Sequence, residues 1–188
     1  NDYPELEYIC GGEESFGFLA GNHVRDKDAI TSALILSELC NELKNKNSSF
    51  YDRLIECYIN YGFFKEKLIT EIAKGKKGAK EIDDKINSFR KNPPKLLDNS
   101  SVVKIYDYKK SLLTKTKNNN LSQIKLPKSN LLIFESSDGT RVAVRPSGTE
   151  PKIKYYFSVN TKLNSKGDFN FKNDFLNKKI NSLIKQFI

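Results

Sequence analysis

The stretch LLIFESSDGTRVAVRPSGTEPKIKYYFSV, residues 131–159, carries three strand signals in succession. Residues 131–135 form a short apolar run, Ser136-Ser137-Asp138-Gly139 reads as a turn, and residues 140–144 alternate apolar and polar side chains. Asp-Gly between two such runs predicts a β-hairpin, since glycine supplies the positive φ that a tight turn demands. Residues 152–159 then set Ile153, Tyr155, Phe157 and Val159 on one face of another strand, because side chains alternate along an extended chain. Strands joined this closely pair antiparallel.

On either side of this stretch the pattern switches between the two periods. Residues 63–72 and 102–108 read as further strands. Residues 79–90 carry Ile82, Ile86 and Phe89 at helical spacing, and Pro93-Pro94 ends that helix. Residues 109–128 are polar, with three asparagines at 118–120, and are expected to form a loop. Phe171, Phe175, Leu176, Ile180, Leu183, Ile184 and Phe187 predict a closing amphipathic helix. Arg90 lies on a predicted helix far in sequence from every motif, and its replacement by alanine is expected to do little. The inventory predicts a complete α+β domain over residues 61–188, a mainly antiparallel sheet with helices on one face.

Residues 1–60 look incomplete by comparison. Gly11, Gly12, Gly17 and Gly21 punctuate a strand end and loop. Asp26 is the expected N-cap of a helix through Ala29, Ala33, Leu36, Cys40 and Leu43, and Ser48 or Ser49 of a second through Phe50, Leu54, Cys57 and Tyr58, ending near Gly62. No sheet is evident for these helices to cover, so residues 1–60 are expected to be the tail of an α/β domain.

A chain of 188 residues has room for one domain and part of another. Hydrophobic residues at 38% and aromatics at 11% suffice for a packed core and argue against global disorder. No apolar run approaches the roughly 20 residues that span a bilayer, and the acidic start NDYPELEYICGGEE is no signal peptide. Cys10, Cys40 and Cys57 lack metal-type spacing and read as free thiols, which predicts a cytoplasmic protein. The lack of any methionine fits a removed initiator or a chain cut from a longer one. A net charge of +9 can attract polyanions, but the positive charge is nearly all lysine interleaved with asparagine, as in LTKTKNNN, and reads as solvated surface. Neither a nucleic-acid nor a membrane partner is expected.

Two segments carry chemistry. The first, RPSGTEPK at residues 145–152, joins two strands. Arg145 offers a planar fork that can bind phosphate bidentately. Ser147 and Thr149 add hydroxyl donors, and Gly148 lets backbone N–H groups approach an anion. Pro146 and Pro151 stiffen both ends, Lys152 and Lys154 add charge, and Glu150 is expected to face away. The same residues also suit an ordinary turn. The second, GEESFG at residues 12–17, sets carboxylates and a serine on a glycine-flanked loop, where they can meet sugar hydroxyls or simply solvent.

RPSGTEPKIKYY resembles the C-terminal phosphate-binding loop of the α-D-phosphohexomutase superfamily, the phosphoglucomutases and phosphomannomutases. GGEESFGFLAGNHVRDKDAITSALILSEL resembles the sugar-binding loop of the same superfamily and the helix start after it. The resemblance covers nearly the whole chain, least at residues 109–120. It implies phosphate contacts from Arg145, Ser147, Gly148 and Thr149, with Lys154 beside them, and sugar contacts from Glu13 and Ser15. Some relatives have a histidine directly after the serine of the sugar loop. Phe16 and Gly17 stand there here, which leans toward the phosphoglucomutases, and His23, the chain's single histidine, reads as structural or surface.

The resemblance also implies four domains: a phosphoserine in the first, a magnesium-holding Asp-rich loop in the second, residues 1–60 as the tail of the third and 61–188 as the fourth. Neither the phosphoserine setting Ser-His-Asn-Pro nor DxDxD occurs in this sequence, and Asp83-Asp84 sits on a predicted helix. The expectation is therefore the C-terminal part of an isomerase, an intramolecular phosphotransferase that interconverts hexose 1-phosphate and 6-phosphate. The implied cofactors are Mg2+, with no ligand in this chain, and a hexose bisphosphate as intermediate and activator. The implied partners are the phosphosugar and the missing N-terminal domains, and the isolated chain is expected to be inactive. The alternative from composition is a non-catalytic basic module that binds polyanions.

Overall fold

The computed structural model describes residues 6–13, 16–73 and 77–188, and divides the chain into units of Asn1–Glu56 and Cys57–Ile188. In the first unit, β1 (Cys10–Gly12) and β2 (Phe18–Ala20) pair antiparallel, Cys10 opposite Ala20. This ribbon corrects the expectation of no sheet there. Helix α1 (Ala29–Asn45) is capped by Asp28, not Asp26: the Asp28 carboxylate accepts the N–H groups of Ile30 at 3.1 Å and Thr31 at 3.0 Å. Asp26 instead accepts the N–H of Lys27. Leu43 is the buried residue among those of α1, while Ile30, Leu34 and Leu36 are exposed. Helix α2 (Phe50–Tyr61) starts on a reciprocal cap, in which Ser49 Oγ accepts the Asp52 N–H at 3.1 Å and donates to the Asp52 carboxylate at 2.6 Å.

The second unit continues with β3 (Phe63–Ile72), α3 (Gly78–Lys91), β4 (Leu96–Leu97), β5 (Ser100–Asp107), β6 (Leu112–Lys115) and β7 (Asn120–Gln123). It ends with β8 (Leu132–Ser136), β9 (Arg141–Pro146), β10 (Lys152–Thr161), a 3-10 turn (Lys166–Asp168) and α4 (Phe169–Phe187). Every strand pair is antiparallel, in the order β3-β10-β9-β8-β5-β6-β7, with β4 beside β5. The fold is the expected α+β arrangement. Helices α3 and α4 lie on one face, where Phe89 of α3 and Phe187 of α4 stack at 5.3 Å and both approach Phe134 of β8.

Ile153, Tyr155, Phe157 and Val159 of β10 point into this covered face and are at most 1% exposed. Burial of each such side chain contributes about 1.5–3 kcal/mol. From α4 the core receives Leu176, Ile180, Leu183 and Phe187. Phe171 and Phe175, read from sequence as part of that stripe, are exposed, because they lie outside the helix face that runs through Leu176 and Leu183.

Two more expectations are corrected. Residues 109–128 are not all loop: β6 and β7 form a hairpin that ends the sheet. The side chains of β7 are exposed throughout, so no apolar alternation marks it, and an outermost strand with polar side chains is also protected against pairing with another chain. Arg90 is no spare surface charge. Its side chain is 7% exposed, with Nε 3.4 Å from Asp107 and Nη2 2.5 Å from Asn130.

The β8–β9 turn is tied to α4. Gly139 has φ +81°, and Asp138 accepts from Lys179 Nζ at 2.5 Å, Ser136 Oγ at 2.7 Å and the Thr140 N–H at 3.1 Å. Partial burial pushes the Asp138 carboxyl up, but bonds from Lys179, Ser136 and Thr140 outweigh it and hold the group well below the usual range. A carboxyl whose pKa falls on folding stabilises the fold above its unfolded value, near 3.9, and that stabilisation is lost as pH falls below it. Asp138→Asn should lower Tm at pH 7 by a few degrees, about 1 kcal/mol once the bond to charge is discounted for a carboxylate side chain 40% exposed. Thermal melts of parent and variant should converge as pH drops below about 4.

Candidate phosphosugar-binding site

The loop of the first unit closes on itself at Glu13. The Glu13 N–H donates to the Gly17 carbonyl at 2.8 Å, and Phe16 N–H donates to the Glu13 carbonyl at 3.2 Å. The Glu13 carboxylate accepts from Lys27 Nζ at 2.9 Å, a bond that raises the lysine's pKa. A Cβ at Gly17 would stand 2.6 Å from Lys27 Cδ and 2.8 Å from Glu13 Oε2, so a larger residue there would displace the ends of these two side chains. Glu13, Lys27, Arg25, Asp26 and Tyr8 line a cavity of about 270 Å³. Ser15 lies outside the described residues. His23 is exposed. Lys27 went unnoticed in the sequence because its partner is 14 residues away.

In the second unit the five candidate phosphate residues come together at the end of the β9–β10 hairpin. Arg145 pairs directly with Lys154, so the two cations share the face of the sheet opposite Tyr155. Pro146 pairs with Ile153, and the Ser147 N–H closes the loop on the Lys152 carbonyl at 2.8 Å. Thr149 N–H points at Ser147 Oγ at 3.4 Å. The loop base is fixed from β3 by the Ala73 N–H, which donates to the Pro151 carbonyl at 2.9 Å. Ser147, Gly148, Thr149 and Glu150 line a cavity of about 490 Å³ whose far wall holds Asp83 of α3 and Asn130. Glu150 therefore does not face away. Its carboxylate pairs with Lys152, whose hydrogen bond holds the Glu150 carboxyl below its ordinary pKa.

The sequence matches follow the same division. Residues 2–58 match the family described as phosphoglucomutase/phosphomannomutase, alpha/beta/alpha domain III, and residues 73–162 match phosphoglucomutase/phosphomannomutase, C-terminal domain. The chain belongs to the phosphoglucomutase/phosphomannomutase family. The phosphoglucomutase of Staphylococcus epidermidis RP62A is 38% identical over 156 residues, 83% of this chain and 28% of that protein. That of Staphylococcus aureus MRSA252 is 37% identical over 151 residues, 80% of this chain and 27% of its own length. The open-form crystal structure of the exocytosis-sensitive phosphoprotein pp63/parafusin, a phosphoglucomutase from Paramecium, shares the fold over 95% of this chain and 30% of that one, with TM-score 0.55 and 22% identity. This chain thus spans less than a third of the length of these relatives. Within the family frame, the loop at Glu13 falls in the domain III match and the loop at Arg145 in the C-terminal match.

Gly148 behaves differently from Gly17. A Cβ there would meet nothing within 4 Å, and its φ is outside the positive region. Neither packing nor backbone strain in the free protein asks for glycine, so Gly148→Ala should leave Tm unchanged or raise it, by up to about 1 kcal/mol in stability. Thermal denaturation of the variant checks this.

Proposed function

We propose that this chain serves a phosphohexomutase, in the first place a phosphoglucomutase, by holding the sugar and the phosphate that is not reacting. The observation that carries the proposal is the grouping of Arg145, Ser147, Gly148, Thr149 and Lys154 at one hairpin end, with open space where a Cβ of Gly148 would stand. The guanidinium of Arg145 supplies paired donors to phosphoryl oxygens. Lys154 beside it adds charge, and the hydroxyls of Ser147 and Thr149 complete a donor set. Glycine at 148 lets an oxyanion reach the backbone N–H groups. In the other unit, Glu13 accepts hydroxyls of the ring, with Ser15 two residues on in sequence and Lys27 fixing its carboxylate.

The reaction of the whole enzyme interconverts hexose 1-phosphate and 6-phosphate through a bisphosphate that turns over between two binding poses. A clamp that accepts either phosphate suits that need, and holding the substrate in line supplies much of the catalytic advantage in phosphoryl transfer. Magnesium belongs to the family reading. Among the described residues no three His, Cys, Asp or Glu side chains converge on one point, so the residues present do not fit a metal. The role proposed for them is binding and orientation. A reading as a single-strand nucleic-acid binder is disfavoured, since Tyr155 and Phe157 are 0% and 1% exposed and offer no stacking surface. Among the described residues no helix is long and apolar enough to cross a membrane.

In the longer enzyme, Arg145→Ala should lower kcat/KM for glucose 1-phosphate ten- to a hundredfold with its circular dichroism unchanged. Hydrogen bonds to charged groups contribute roughly 1.5–3 kcal/mol, and tenfold corresponds to about 1.4 kcal/mol. Arg145→Lys should recover part of this, because lysine keeps the charge without the fork. Parent-like kinetics for Arg145→Ala would overturn the clamp. The 188-residue polypeptide alone is expected to show no turnover in a coupled assay, because the phosphoserine setting is absent from its sequence; measurable turnover by pure material would contradict the division of roles.

A further inference from the structure

We infer that Gly78 is a positioning residue for the phosphate clamp: because it carries no side chain, Ala73 can sit where its N–H holds the loop through the Pro151 carbonyl. The inference rests on the reading of that loop as a clamp. Gly78 is the first residue of α3 and is buried. A Cβ there would stand 2.7 Å from the Ala73 carbonyl oxygen and 2.8 Å from the carbon. Both are backbone atoms, so no side chain can fold away to relieve the overlap. The φ of Gly78 lies outside the positive region, so it is the close approach, not the backbone conformation, that asks for glycine.

Of the two partners in this contact, Ala73 is the one free to yield. Helix α3 is committed to the core by Ile82 and Ile86, which are 6% and 0% exposed. Further along the helix, Lys85 Nζ reaches the Glu71 carboxylate at 2.6 Å and lies 5.5 Å from the centre of the Tyr155 ring, which ties α3 to β3 and β10 at once. Ala73 follows the last residue of β3, the outermost strand on that side of the sheet, and Ile72 before it is exposed. An added methyl at Gly78 therefore moves Ala73 away from the helix.

What Ala73 holds is the second limb of the loop. Its N–H donates to the Pro151 carbonyl at 2.9 Å, the Lys152 N–H donates to the Glu150 carbonyl at 2.7 Å, and the Lys152 carbonyl accepts the Ser147 N–H at 2.8 Å. Ser147 and Thr149, the hydroxyl donors proposed for the phosphoryl group, belong to the segment that these bonds enclose. Pro151 has no N–H of its own, so its carbonyl is the backbone group through which β3 can hold it. Displacing Ala73 loosens that hold, and a loop freed at one limb loses more entropy when it closes on an anion.

The test is steady-state kinetics with glucose 1-phosphate on the longer enzyme, with Tm measured for every variant. Gly78→Ala pushes Ala73 off the loop. Ala73→Pro removes the N–H itself, and Ile72 before it is already extended, as a residue preceding proline prefers. Each change should raise KM about three- to tenfold, the range of one neutral hydrogen bond, with kcat near that of the parent. The double variant should lose no more than the worse single one, because both cut the same link. A merely structural glycine would lower Tm and the yield of active enzyme and leave KM alone. A parent-like KM in either single variant, with Arg145→Ala defective, overturns the inference and leaves the clamp standing. Parent-like kinetics for Arg145→Ala removes the clamp and the inference with it. Effects that add in the double variant, activity that falls only in proportion to folded protein, or a Gly78→Ala enzyme that does not fold also overturn the inference.

Discussion

The alternation of β10 governs the rest of the second unit. The strand is hydrogen-bonded to β3 over its whole length and to β9 over its first half. With Ile153, Tyr155, Phe157 and Val159 committed to the helix-covered face, Lys152, Lys154 and Tyr156 must point the other way. A slip of one residue would drive both lysines into the core. Leaving a charge buried without a partner costs several kcal/mol, so the register has no near competitor. The same register puts Arg145 opposite Lys154 and Pro146 opposite Ile153. The core therefore decides where Arg145 and Lys154 emerge beside the loop.

The loop between β9 and β10 is pinned at its base and sparsely bonded at its tip. Ala73 N–H and Ser147 N–H close the base, and buried Pro146 anchors one side. A Cβ at Gly148, at the tip, would meet nothing within 4 Å. Rigidity at the base lowers the entropy that any binding at the tip would cost. The glycines of the two candidate loops differ: a Cβ at Gly17 would displace the ends of the Lys27 and Glu13 side chains, whereas one at Gly148 would meet nothing within 4 Å.

Sequence made the covered parts of the fold legible and left the edges dark. β8, β9 and β10 each bury apolar side chains at period two, α3 buries Ile82 and Ile86 at helical spacing, and β3 buries Phe63 and half-buries Ile69. β6 and β7 bury too little for a pattern, and were missed for that reason. Helix α4 shows the same limit from within. Lys179 replaces an apolar residue on the buried stripe because Asp138 waits for it, and nothing local in the sequence announces a partner 41 residues away. The candidate loop at residues 145–152 was legible because its residues are contiguous. Lys27 and the Arg90–Asn130 pair were not, because each acquires its place from a residue elsewhere in the chain.

Arg90 illustrates why distance in sequence is a poor guide to independence. Its guanidinium joins the end of α3, the turn after β5 and the segment before β8 in one set of hydrogen bonds. The β5–β8 ladder already sets Asp107 opposite Leu132, and Arg90 ties the end of α3 to that pair of strands. A lysine at this position would offer a single ammonium on a flexible stem and could not hold three acceptors in a fixed plane.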